Sequence, residues 1–402
     1  MILPRRAFLG GACAFCSSAL FACTPTSPDG PQLQTGIGGR SDLAPRSIPG
    51  TRTRATDDDE DGIRGMLDQM ERRMQTSRFL IRDQAINGYI RRIVREISGE
   101  YADDIRPYIV RVPDFNATQA PNGMMQIWTG LLLRCTNEAQ LVAVLGHEVG
   151  HYIRAHSRES VRMRRQIVDA QQVLAMIFGA AGLPQVSDLT GFILTASIFS
   201  YGRDHEREAD EIGIRILADR GLAPVEAARN WENVTAEAAA LGIPRDRSTL
   251  FSTHPSDSER TETLRRRAAE LPAGDSRASA YWQGIDAIRP MLFDDEIRTA
   301  RHPGMIVIAD RWLAARPGDG YALYARGESL RLRNGKDDEA QAIESLSAAT
   351  AAEGGPAAAW RSLGLLRRRR GETGESRDLL LEYLRRAPNA PDRDLIRNSI
   401  RS

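Results

Sequence analysis

The sequence predicts an α+β chain that is mostly α, and three observations carry that expectation. Apolar residues recur at helical spacing, as in Met66, Met70, Phe79, Ile86, Ile90, Ile93, Val94 and Ile97. Only two short runs, residues 108–112 and 124–128, have strand character. From about residue 296, short helical patterns alternate with Pro and Gly breaks. The expected architecture is a helix-rich domain with a small sheet over residues 63–290, followed by an all-α domain over residues 296–402.

At 402 residues the chain is long enough for two or three cores, and a net charge of +1 excludes a general attraction to nucleic acid. Residues 1–22 read as a targeting segment: Arg5-Arg6-Ala7-Phe8-Leu9 resembles a twin-arginine export signal. Leu20-Phe21-Ala22-Cys23 looks like a bacterial lipobox, in which Cys23 is lipidated and becomes the first mature residue. Thr24, where an acidic retention residue would stand, points to the outer membrane, so the expected location is periplasmic, anchored in its inner leaflet. Cys13 and Cys16 leave with the signal, and only Cys135 stays a thiol, so the mature chain has no internal disulfide. Residues 23–62, rich in Pro, Gly, Ser, Thr and Asp, read as a disordered tether, with the acidic run at 57–61 solvated.

Residues 63–97 then supply two helices against a core. A strand at 108–112, a turn-rich segment at 116–121 and a second strand at 124–128 follow, with Thr136 expected to cap the next helix and Glu138 in its first turn. An edge strand beside a cleft can pair with an extended substrate backbone. The apolar stretches 173–183 and 192–199 are each too short to span a bilayer, which takes roughly 20 residues, and read as core.

Chemistry concentrates in residues 141–156, which contain His147-Glu148-Val149-Gly150-His151. On a helix the two histidines share a face, where both imidazoles reach one metal ion. Zinc held by two neutral imidazoles needs a third protein ligand and an open position for water, whose pKa it lowers toward neutrality. Glu148 is placed to take a proton from that water and pass it to a leaving amine, which is peptide hydrolysis. A later helix opens with Asp204-His205-Glu206-Arg207-Glu208-Ala209-Asp210 and stops at Gly221. Glu206 and Asp210 share a face, so one carboxylate can bind metal while the other orients an imidazole. The alternative is a solvated acidic helix face.

These motifs in this order, with Asn116-Ala117, Pro121-Asn122-Gly123, Thr129-Gly130-Leu131 and Asn137-Glu138 ahead of them, resemble the zinc metallopeptidase family of the CAAX prenyl protease and the heat-shock protease HtpX, peptidase family M48. Within it the likeness is greatest to members that join a soluble periplasmic catalytic domain to tetratricopeptide repeats. The resemblance implies a gluzincin-like fold in which His147, His151 and Glu206 bind Zn2+, Glu148 is the general base and Asp210 orients a ligand. It also implies catalytic-site roles for His254, as a self-inhibiting fourth zinc ligand, and for Arg260, which would stabilise the oxyanion. Pro255 keeps His254 extended, and Ser256 with Glu259 forms a capping box for the next helix. His156, His205 and His302 match nothing in the pattern and read as structural or exposed.

Trp360, Leu363, Gly364, Leu380 and Pro388 resemble a tetratricopeptide repeat, although Arg367 stands where an aromatic is usual. An earlier copy aligns through Gly327 and Ala342, with Pro317 closing the helix before it. The two glycines are 37 apart where the period is 34, so an insertion is expected near Glu353-Gly354-Gly355. The resulting expectation is a lipid-anchored zinc endopeptidase acting on misfolded or stalled envelope proteins, with the repeats binding clients or the outer-membrane assembly machinery and no nucleic-acid partner. Two alternatives remain open: a client-binding scaffold with little proteolysis, and a processing peptidase with a single substrate.

Overall fold

The protein is described by a computed structural model over residues 45–47, 50, 58–157, 159, 201–244 and 258–401. The signal segment with Cys23, most of the tether, the apolar stretches 173–183 and 192–199, and His254 lie outside these residues. Among the described residues, no helix is long and apolar enough to cross a membrane.

Helix α1 (Asp58–Thr76) begins inside the segment expected to be tether. Its first four residues are acidic, and a helix N-terminus favours negative charge. Helix α2 (Gln84–Ser98) is capped by Asp83, whose carboxylate accepts from the amides of Ala85 and Ile86, and it buries Ile86, Ile90, Ile93, Val94 and Ile97.

Strands β1 (Arg106–Val110), β2 (Ala117–Gln119) and β3 (Met124–Trp128) form a mixed sheet in the order β1-β3-β2. β1 runs parallel to β3 with Ile109 opposite Ile127, and β2 runs antiparallel with Thr118 opposite Gln126. Strand β2 corrects the turn-rich reading of residues 116–121: three residues of extended chain pair with β3 before Gly123, at φ +91°, reverses the direction. The strand period sorts side chains to two faces. Ile109, Met125 and Ile127 join the main core, whereas Val110, Met124 and Trp128 pack with Met66, Leu67 and Met74 of α1.

Helices α3 (Thr129–Arg134) and α4 (Glu138–Ile153) follow, and α4 is buried along nearly its whole length. Its cap is Asn137, not the expected Thr136. Asn137 has the extended backbone a cap requires and its side chain accepts from Gln140 N, while the Thr136 amide donates to the Gln140 side chain. At the other end of α4, the amides of Arg46 and Ser47 donate to Ile153 O and the Ser47 hydroxyl to Tyr152 O, satisfying carbonyls the helix leaves open.

Helix α5 (Arg203–Asp219) ends at Gly221, at φ +64°, as its sequence implied. Helices α6 (Val225–Ala240), α7 (Ser258–Ala269) and α8 (Ala278–Ile285) pack around α4 and α5. Then come α9 (Arg289–Arg298), α10 (His302–Ala315), α11 (Gly320–Arg333), α12 (Asp338–Ala351), α13 (Ala357–Arg369), α14 (Thr373–Arg386) and α15 (Arg393–Arg401).

Helices α9 to α11 share the first core: Phe293, Met305, Ile308, Trp312 and Ala322 belong to the same buried cluster as Leu132, Leu141 and Ile214. The Trp312 indole donates to Leu133 O, and buried Arg134 pairs with Glu237 of α6 and Glu296 of α9. Farther on, α11 with α12 and α13 with α14 make two hairpins. A β-carbon at Gly327 would meet the Leu346 side chain at 2.7 Å, and one at Gly364 would meet Leu380 at 2.9 Å. Leu346 and Leu380 are 34 residues apart, so the extra residues lie inside the first hairpin, between Gly327 and Leu346, and not near Glu353.

Candidate metal centre

Small residues where two helices cross bring the centre together. A β-carbon at Gly150 would lie 3.1 Å from Ala209 Cα, and one at Gly213 would lie 3.0 Å from the His147 amide nitrogen. Helices α4 and α5 therefore cross nearly backbone to backbone, and the start of α5 lies against the histidine face of α4.

His147 Nε2 and His151 Nε2 are 3.0 Å apart, and the Glu206 carboxylate lies 3.5 Å from the first and 3.4 Å from the second. All three residues are buried, and their ligand atoms fall within 4.8 Å of one another. Two converging imidazole nitrogens and one carboxylate oxygen are the protein donor set of a catalytic zinc site, in which water takes the remaining position. Burial opposes a proton on His147, yet Glu206 and Asp210 outweigh it and raise its pKa, so the pocket favours positive charge. The residues present fit a divalent cation.

Asp210, one turn beyond Glu206, lies 2.9 Å from His147 Nδ1. It turns the Nε2 lone pair toward the shared point, since the hydrogen bond at one ring nitrogen sets the tautomer at the other. Arg260 of α7 reaches the same two acids: its guanidinium lies 2.6 Å from Glu206 Oε2 and 2.5 Å from Asp210 Oδ2, over the Trp231 ring at 4.2 Å. Burial would lift the Asp210 carboxyl, but Arg260 and His147 hold it below the ordinary range. Glu148 is 1% exposed and lines, with His147, Phe115, Asn116, Ala117 and Trp231, a cleft of about 560 Å³. Ala117 of the edge strand β2 and residues of the metal helix thus line the same cleft.

The structure brings His147, Glu148, His151, Glu206, Asp210 and Arg260 into one centre. It also adds residues that the sequence reading left aside. His156 lies with Nδ1 2.9 Å from His151 Nδ1, and Tyr201 stacks on the His151 ring at 3.7 Å. Helix α4 has ended before His156, and Ala155 at φ +56° folds the chain back. Helical spacing therefore gave no signal for it, and an alanine does not announce a left-handed turn.

Fold and centre define the class: a metallopeptidase-type domain built on a His-Glu-x-x-His helix and a glutamate from a second helix. Comparison with known proteins points the same way: residues 82–268 match the sequence profile of Peptidase family M48. The metal of that family is zinc. The chain is 31% identical to metalloprotease YcaL of Escherichia coli over 156 residues, 39% of this chain and 59% of that protein. It is 29% identical to mitochondrial metalloendopeptidase OMA1 of Schizosaccharomyces pombe over 181 residues, 44% of this chain and 51% of that protein. It is 26% identical to the beta-barrel assembly-enhancing protease of Yersinia pestis over 216 residues, 51% of this chain and 44% of that protein. The chain spans 44–59% of the length of these three relatives.

Proposed function

We propose that this protein is a zinc-dependent endopeptidase of the bacterial cell envelope that hydrolyses misfolded or stalled envelope proteins. The observation that carries the reading is the position of Glu148, buried in the wall of the cleft beside the His147, His151 and Glu206 cluster. Zinc held by those three side chains supplies Lewis acidity toward water and the scissile carbonyl. Glu148 acts as general base toward the attacking water and then delivers the proton to the leaving amine. Asp210 holds the His147 ring, and Arg260, 2.6 Å from Glu206, keeps that carboxylate in place while offering positive charge near the developing oxyanion. His254 stands four residues before α7, whose Arg260 enters the centre, and this supports its role as a self-inhibiting fourth ligand.

The edge position of β2, with Ala117 lining the cleft, supports binding of a substrate backbone in extended form, which selects unfolded chain. The paired hairpin contacts Gly327–Leu346 and Gly364–Leu380 support two tetratricopeptide-like repeats that hold clients or the outer-membrane assembly machinery. Similarity to the beta-barrel assembly-enhancing protease and the lipobox ending at Cys23 support a periplasmic, lipid-anchored location.

The test is Glu148→Gln. The variant is expected to retain zinc and to lose cleavage of unfolded casein. Cleavage at the parent rate would remove Glu148 from the mechanism. Full rescue of a deletion strain by the inactive variant would favour a client-binding scaffold.

A further inference from the structure

We propose that His156 is a positioning residue for the metal centre: through a relay ending at Glu208 it fixes the tautomer of His151 that presents a bare Nε2 to zinc. This rests on His151 being a zinc ligand.

The argument is one of donors and acceptors. His151 Nδ1 and His156 Nδ1 are 2.9 Å apart, so one carries hydrogen and the other a lone pair. His151 must keep Nε2 bare, because that atom faces Glu206 and His147 at the shared point. Its hydrogen is therefore on Nδ1 and is donated to His156, whose own hydrogen is then on Nε2. That atom lies 3.1 Å from Glu208 Oε2, an acceptor only. The same oxygen accepts from Arg154 Nε at 2.7 Å, and Arg154 is the residue on which α4 ends. The relay thus starts at the metal ligand, passes through two imidazoles in one permitted arrangement and is tied off at a carboxylate held by the metal helix itself.

Packing holds the rings in place. His156 is fully buried and stacks on His205 at 4.3 Å, while Tyr201 covers His151 from the other side. Glu208 lies between Glu206 and Asp210 in sequence but on another face of α5, so three carboxylates of one helix serve three different atoms. Glu206 faces the shared point, Asp210 faces His147 Nδ1, and Glu208 faces His156 Nε2.

The discriminating pair is Glu208→Ala and Glu208→Gln. Glutamine places a carbonyl oxygen where Oε2 stands and keeps an acceptor for both His156 and Arg154; alanine removes it. Glu208 has a side chain 30% exposed, so neither change opens the core. His156→Leu and His156→Asn repeat the comparison one step closer, because the asparagine oxygen can stand in for Nδ1.

Zinc affinity is read by competition with a chromogenic chelator, and ligand geometry by the absorption bands of the Co2+-substituted protein. The Glu208→Ala and His156→Leu variants are expected to bind zinc about tenfold or more weakly, with shifted Co2+ bands, and the Gln and Asn variants to remain near the parent. Parent affinity and an unchanged Co2+ spectrum in Glu208→Ala, or equal losses in Ala and Gln, would overturn the relay. A parent protein that binds no zinc at all would overturn the reading of the centre beneath it.

Discussion

Gly150 and Ala209 meet with no side chain between them, and a β-carbon at Gly150 would lie 3.1 Å from Ala209 Cα and 3.3 Å from Ile212 Cβ. This contact sets how far α5 stands from α4, and hence whether Glu206 reaches the two imidazoles.

Enlarging Gly150 is therefore expected to cost the metal as well as stability. Gly150→Val wedges the helices apart where neither backbone can yield, at about 1–3 kcal/mol for an overpacked core site. Zinc retention after gel filtration and urea denaturation check both effects. Parent-like zinc content in a folded Gly150→Val protein would show that the crossing does not set the site.

A second prediction concerns the ion pair that ties the carboxyl-terminal helices to the catalytic core. Arg134 and Glu237 are each only 1% exposed at the side chain, and Glu296 is fully buried beside them. Arg134→Met leaves two buried carboxylates short of a partner, a loss of about 3–5 kcal/mol. Urea denaturation of Arg134→Met alone and combined with Glu237→Leu checks it, with the combination expected to recover part of the loss.

Acid sensitivity follows from His156. Burial is the main cause that lowers its pKa to about 4, below the ordinary 6.5, and Glu208 offsets only part of it. Between those values the unfolded chain takes up a proton that the folded chain does not. Stability is therefore full above about pH 6.5 and falls as the pH drops toward 4, by up to about 3 kcal/mol from this group. Thermal unfolding of zinc-free protein across that range is expected to show the slope, and His156→Asn to flatten it.

Much of this centre could be read in the sequence because helical periodicity is strict. Residues 147 and 151 must share a face, as must 206 and 210, and the helix ending at Gly221 was marked by the glycine itself. What escaped depends on contacts made after a helix ends or between distant segments. His156 is carried back by the left-handed Ala155, Tyr201 stacks on His151 from across the chain, and Trp231 lies under Arg260. Strand β2 was missed because three residues are too few to show alternation. The cap moved from Thr136 to Asn137 because both residue types cap helices and only the observed backbone separates them.

The central claim is that one zinc ion is shared by His147, His151 and Glu206. Titration of metal-free parent protein and of Glu206→Ala with zinc, followed by calorimetry, tests it most directly. The account predicts a single site per chain in the parent and binding weakened by about tenfold or more in the variant. Equal affinity in the two proteins would contradict it.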